Sequence, residues 1–197
     1  MYKIILTVFI FISTIAGAQE KVTALDFQKK LNKEFADSIT SPLTQKDRVS
    51  FKALEFFPID SAFIVKAKFR RTDKEKSFEM KTTTERAPLY VKYGEVSFAI
   101  KGKNFKLNVY LNLETKKRKS FQNSLFLPIS DLTSGNETYG GGRYLDIEIP
   151  KGDDLIIDFN QAYNPYCVYN PKYSCPLVPS ENHLATYIYA GVKKFHD

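Results

Sequence analysis

Phe105-Lys106-Leu107-Asn108-Val109-Tyr110-Leu111-Asn112-Leu113 places an apolar residue at every second position. A period of two puts all of these apolar side chains on one side of an extended chain, so the stretch reads as a strand with one buried face. The same pattern recurs on either side. Upstream lie Phe63/Val65/Ala67/Phe69, Phe78/Met80/Thr82, Leu89/Val91/Tyr93 and Val96/Phe98/Ile100; downstream lie Leu145/Ile147/Ile149 and Leu155/Ile157/Phe159. Gly94-Glu95, Lys101-Gly102-Lys103-Asn104 and Pro150-Lys151-Gly152-Asp153 supply turns between them. Short strands with tight connections and no intervening helices predict a mainly β domain, an antiparallel sandwich or barrel. Parallel α/β architectures are excluded.

The N-terminal part reads differently. Lys3, the apolar run Ile4 to Ile15 and the small residues Ala16-Gly17-Ala18 have the layout of a secretory signal peptide over residues 1–18, cleaved near Ala18. The apolar run is shorter than the roughly 20 residues that span a bilayer. The expected mature chain, residues 19–197, is a single extracytoplasmic β-rich domain, periplasmic or secreted, without a stable membrane anchor. From Thr23 to about Ser38, Leu25, Phe27, Leu31 and Phe35 fall near helical spacing, which predicts one amphipathic helix; Pro42 follows its end. Thr44 to Asp47 could start a further short turn, and Phe51, Leu54, Phe56, Phe57 and Ile59 read as core.

The formal charge of +7 is spread among acids and loses one unit with Lys3. Lys66, Lys68 and Arg70 alternate with apolar residues as on the wet face of a strand, and Lys116-Lys117-Arg118-Lys119 sits where a hairpin turn is expected. These are solvated charges, and nucleic acid is not an expected partner.

Asp158 to His183 is a long ordered loop that holds both cysteines, four tyrosines and four prolines, with Tyr-Asn-Pro occurring twice. Its prolines exclude a helix or a central strand. Cys167 and Cys175 have three readings: a disulfide that staples the loop in an oxidising compartment, a catalytic thiol with His183 as base, or two ligands of a metal site completed by His183. The disulfide is the leading expectation, and no metal site is assigned. Tyr163, Tyr166, Tyr169 and Tyr173 could present an aromatic platform to a sugar ring or a cationic head group, or simply pack the loop down.

The second unusual segment is Thr138-Tyr139-Gly140-Gly141-Gly142-Arg143. It lacks the Gly-Lys-Ser/Thr ending of a phosphate loop. It reads either as a glycine bulge with Arg143 paired to a buried acid such as Asp158, or as a backbone nest for an anion. Tyr139, Arg143, Asp158, Asn160, Tyr163 and Tyr166 are the ligand-binding candidates. Asp158, Glu181 and His183 are the candidate catalytic groups, and Asp158 with Asn160 could equally be a buried network.

Pro58-Ile59-Asp60, Glu137 to Asp146, Asp158 to Cys167, Ser174 to Leu177 and Glu181 to Leu184 resemble the bacterial family called domain of unknown function 1684. The resemblance covers nearly the whole mature chain and implies membership, without an activity, cofactor or catalytic residue. The chain departs from the family pattern at Asn182-His183-Leu184 and Ala190-Gly191-Val192-Lys193, where members carry Asn-Arg-Leu and Ala-Gly-Glu-Lys. The expectation is an exported binding or structural module with a small-molecule or glycan ligand and no cofactor. A small hydrolase or transferase using Asp158, Glu181 and Arg143 is the alternative.

Overall fold

Two short helices precede the sheet in the computed structural model, which describes residues 22–196: α1 (Ala24–Ala36) and α2 (Gln45–Ser50). The strands are β1 (Ile64–Arg71), β2 (Ser77–Glu79), β3 (Leu89–Ile100), β4 (Lys103–Asn112), β5 (Ser124–Asp131), β6 (Arg143–Glu148), β7 (Asp154–Asp158) and β8 (His183–Leu184). The expected signal peptide over residues 1–18 and its cleavage near Ala18 lie outside the described residues. No helix among the described residues is long and apolar enough to cross a membrane.

The main strand order is β6-β5-β4-β3-β1-β7, with β2 added on β3 and β8 on β5. Every ladder is antiparallel except the short β5–β8 pair. The single sheet curls into a half-barrel, and its terminal strands β6 and β7 share no ladder among the described residues. The inner face is apolar: Val65, Ala67 and Phe69 of β1, Phe98 and Ile100 of β3, and Leu107 and Val109 of β4 meet Leu125, Leu127 and Ile129 of β5. Each fully buried aliphatic side chain of this kind contributes about 1.5–3 kcal/mol.

Gly94 and Glu95 were expected to form a turn between two strands; instead they lie inside one twelve-residue strand, β3. The register against β4 shifts between Lys92 and Gly94, so the inward positions change from Val91 and Tyr93 to Val96, Phe98 and Ile100. An extra residue in one strand reverses the alternation, and in sequence that resembles a break. Gly94 is required there because a Cβ would lie 2.6 Å from the Arg70 carbonyl and 2.5 Å from the Phe69 ring.

Strand β5 has no counterpart among the expected strands. Leu127, Pro128 and Ile129 are all buried, which breaks the alternation, and a proline argues against a central strand. The fold accommodates Pro128 with a side chain: Asn182 donates through Nδ2 to the carbonyls of Pro128 (2.7 Å) and Asn108 (2.8 Å), and its Oδ1 accepts from Asn108 N–H (2.9 Å). The β4–β5 ladder pairs only Tyr110 with Phe126. Beyond that pair, Asn182 connects the two strands.

The helix α1 forms as its spacing predicts, with Thr23 capping Asp26 N–H. Its buried residues Leu31 and Phe35 pack on Leu43, Leu54, Tyr169 and Val192, in an apolar cluster distinct from the inner face of the sheet. Helix α1 therefore covers the tyrosine-rich loop. The short helix α2 starts at Thr44, whose hydroxyl accepts from Asp47 N–H at 3.1 Å.

Candidate functional site

The loop from Asp158 is held by short-range and long-range contacts. Tyr163 exchanges backbone hydrogen bonds with Tyr144 of β6 (2.8 and 3.0 Å), Asn164 Nδ2 donates to Lys193 O at 3.0 Å, and Tyr169 is buried edge-on between Phe35 and Phe195, with centroids 4.6 and 4.7 Å away. Further along, Cys175 N–H donates to Thr83 Oγ1 at 3.1 Å and Leu177 N–H to Lys81 O at 2.8 Å. These contacts hold the loop in place without a covalent staple.

Between α1, the edge of β6 and this loop lies a cavity of about 480 Å³. Its aromatic walls are Phe27 from α1, Phe121 from the β4–β5 connection, Tyr144 from β6, and Tyr163, Tyr166 and Tyr173 from the loop. The Tyr144 and Tyr163 rings stand perpendicular at 5.9 Å, and Tyr166 and Tyr173 lie 5.3 Å apart. Lys30 and Glu34 of α1 and Asp146 of β6 are its charged groups. Asp146 also borders the groove between β6 and β7 and a smaller hollow beside Tyr90, so it stands where three depressions meet.

Asp146 is open to water through the cavity yet surrounded by protein on most sides. Its Oδ2 accepts from the Tyr163 hydroxyl at 2.7 Å. Desolvation raises its pKa, and the Tyr163 hydrogen bond opposes that rise only in part. Burial first, and then the neighbouring Asp146 charge, push the Tyr163 phenol well above its ordinary value. The phenol therefore stays protonated and donates. Nothing in the sequence marks Asp146 as a site residue. Its exposure on β6 looks like ordinary outward alternation, and only the folded loop turns that face into a cavity wall.

Of the ligand-binding candidates, Tyr163 and Tyr166 line the cavity, whereas Tyr139, Arg143, Asp158 and Asn160 do not. The expected pairing of Arg143 with Asp158 does not form. Arg143 is fully enclosed and donates through Nη2 to Asp131 Oδ2 at 2.9 Å, with both side chains at 0% exposure. It also donates to the carbonyls of Ile188 (3.0 Å), Val192 (3.3 Å) and Ala190. Asp131 in turn accepts from Thr133 N–H, the Thr133 hydroxyl and Ile188 N–H at 2.9, 2.6 and 3.2 Å. This network ties the C-terminal segment to β5 and leaves Arg143 unable to reach a ligand. Asp131 carries no sequence signal because it ends β5, a strand without period-two alternation.

Asp158 caps the turn Phe159–Gln161, and its Oδ1 accepts from Asn160 N–H (3.0 Å) and Asn160 Nδ2 (2.8 Å). Asn160 also donates to Asp60 O and accepts from Asp60 N–H, both at 3.0 Å, so the pair is a structural pin. Glu181 is exposed on the turn Ser180–Asn182, and the His183 ring faces the Ser130 hydroxyl at 3.1 Å on β8. The three catalytic candidates are thus spread over separate elements. The carboxylate and arginine constellation of the hydrolase reading is not assembled.

The expected disulfide is corrected: Cys167 and Cys175 are free thiols. No covalent bond joins the two sulfurs; the Cys167 backbone N–H, at the turn Tyr166–Val168, donates to Cys175 Sγ at 3.2 Å. His183 does not join them, and no group of three or more metal-ligating side chains occurs among the described residues. A side-chain hydrogen bond between the two thiols lowers the Cys167 thiol to about 7 and, together with burial, raises Cys175, a rise that the Cys167 backbone N–H opposes. Alkylation of the native, unreduced protein near pH 7 should therefore modify Cys167 before Cys175. Peptide mass spectrometry over a time course reads the order. Simultaneous labelling, or failure of both to label, would contradict the unequal pair.

The family model described as "Protein of unknown function (DUF1684)" matches residues 49–193. No curated protein matches the chain. Among solved structures, an uncharacterised protein of Haloarcula marismortui, determined in solution by NMR, is 30% identical, with a TM-score of 0.67 over 84% of this chain and 89% of its own. The matched region takes in the whole half-barrel, the glycine segment and the tyrosine loop, and the chain belongs to the DUF1684 family.

Proposed function

We propose that the protein is a binding module whose ligand, a small organic molecule, occupies the cavity between α1, β6 and the tyrosine loop. The observation that carries this reading is the cavity itself. Its volume of about 480 Å³ lies within the roughly 300–1,000 Å³ typical of small-molecule sites, which pair apolar and aromatic walls with a few placed polar groups. Here the walls are tyrosine and phenylalanine and the placed group is Asp146, oriented by Tyr163. Arg143 belongs to the buried network, so the hydrolase or transferase reading loses its anion-binding group.

A fragment screen on isotope-labelled protein tests the reading. Fragments that bind should shift NMR signals of Phe27, Asp146, Tyr163 and Tyr166 together. Tyr166 is 41% exposed, so Tyr166→Ala should keep the fold while weakening such fragments roughly tenfold, the scale of one lost aromatic contact. A screen with no hits, or hits confined to other surfaces, would reject the cavity as the binding site.

A further inference from the structure

The charge of the cavity narrows the ligand class. Asp146 has no Lys, Arg or His in ionic contact among the described residues. Among the described residues the one hydrogen bond to its carboxylate comes from the neutral Tyr163 phenol, and it reaches Oδ2 alone. Among the described residues Lys30 is the one cation on the cavity wall, and it lies 3.9 Å from Glu34 of its own helix with its side chain 75% exposed. Glu34 adds a second carboxylate to the rim. Aromatic ring faces carry negative electrostatic potential, so a cavity lined by six such rings favours cations over anions.

The Asp146 carboxylate is reached by water through the cavity but has no cationic partner, and the protein packed around it raises its pKa. A bound cation would supply the partner and favour the ionised form. An anion would meet the unpaired Asp146 carboxylate, a Glu34 already paired with Lys30, and six aromatic rings, and a neutral molecule would leave Asp146 unbalanced. We infer that the cavity takes an organic ammonium ion, with its charged nitrogen against Asp146 and its carbon body against Phe27, Tyr163 and Tyr166. The inference rests on the cavity being the binding site.

The test uses the intact chain and three soluble phenyl-bearing probes that differ in charge: phenethylammonium, phenethyl alcohol and phenylacetate. NMR titration at neutral pH should show phenethylammonium binding about tenfold tighter than the alcohol, the scale of a partly desolvated cation–π and ion contact. Phenylacetate should bind weakest. Asp146→Asn keeps the size of the side chain and an acceptor for Tyr163, and in that variant the preference for the ammonium should fall toward unity. If Asp146→Asn does not fold, the charge series on the unaltered protein decides alone.

Equal affinity for all three probes at the same residues would overturn the ammonium assignment and leave the binding cavity standing. Binding of none of them, in a cavity that screening fragments do fill, would overturn it as well. A preference that survives in Asp146→Asn would refute the role of Asp146. A cavity that no fragment fills would remove both readings.

Discussion

Replacing Arg143 or Asp131 singly by alanine is expected to lower stability by about 3–5 kcal/mol, because each change leaves a charge buried with no partner. The pair is enclosed on all sides, with both side chains at 0% exposure. Arg143→Ala also removes the donor to the carbonyls of Ile188, Ala190 and Val192. Asp131→Ala also strands the Thr133 and Ile188 N–H groups. The double alanine variant should cost clearly less than the sum of the singles, since neither charge is then left alone. Asp158→Ala, by contrast, should be additive with Arg143→Ala, because Asp158 bonds to Asn160 and Gln161 instead. Urea melts with constant slope measure all of these. Losses below about 1 kcal/mol for the single changes, the scale of exposed pairs, would show that the network is not the anchor of the C-terminal segment.

How far the fold could be read from sequence depends on whether one periodicity held along each strand. Strand β1 keeps strict alternation, and its buried residues are the ones the spacing picks out; β4 does so on its inner face, while Tyr110 is buried on the other face with Met80 and Tyr90. Strand β3 reverses its alternation at Gly94, and the reversal imitates a turn. Strand β5 is buried on both sides around Pro128, so it shows neither alternation nor strand-like composition. The compensating group, Asn182, lies 54 residues away. No local pattern contains it.

The candidate site divides in the same way. Tyr163 and Tyr166 were legible because a loop dense in tyrosine and proline has few reasons to be ordered except packing or binding. Arg143 was legible as a residue that needs a buried acid, but the identity of that acid was not. Asp158 is the acid that stands out in sequence, in an apolar strand, yet its partners are local. Asp146 shows the reverse case: ordinary by position, it becomes special once the loop bridges β6 at Tyr144 and Tyr163. Such a site is created by tertiary contact, and only residue-to-residue geometry reveals it.

Gly142→Ala should be the most damaging of the glycine substitutions in the Gly140-Gly141-Gly142 segment. Gly142 has φ +86°, and a Cβ there would lie 2.3 Å from the Ile129 carbonyl oxygen and 2.7 Å from Val178 Cγ2. The left-handed backbone costs a non-glycine residue about 1–2 kcal/mol, and overpacking adds about 1–3. The oxygen cannot move aside freely, because Ile129 is paired in register with Arg143 on β6. Relief of the clash would shift β5 against β6 and so disturb Arg143 and Asp131 as well. A loss of roughly 3–5 kcal/mol is expected on these grounds. Gly135→Ala is the control, because Gly135 also has a positive φ, +91°, but a Cβ there meets nothing within 4 Å. Its cost should be the backbone contribution alone, about 1–2 kcal/mol. If the two variants melt alike, the triple glycine is needed only for its turn, and the close approach of β5 to Gly142 has no energetic weight.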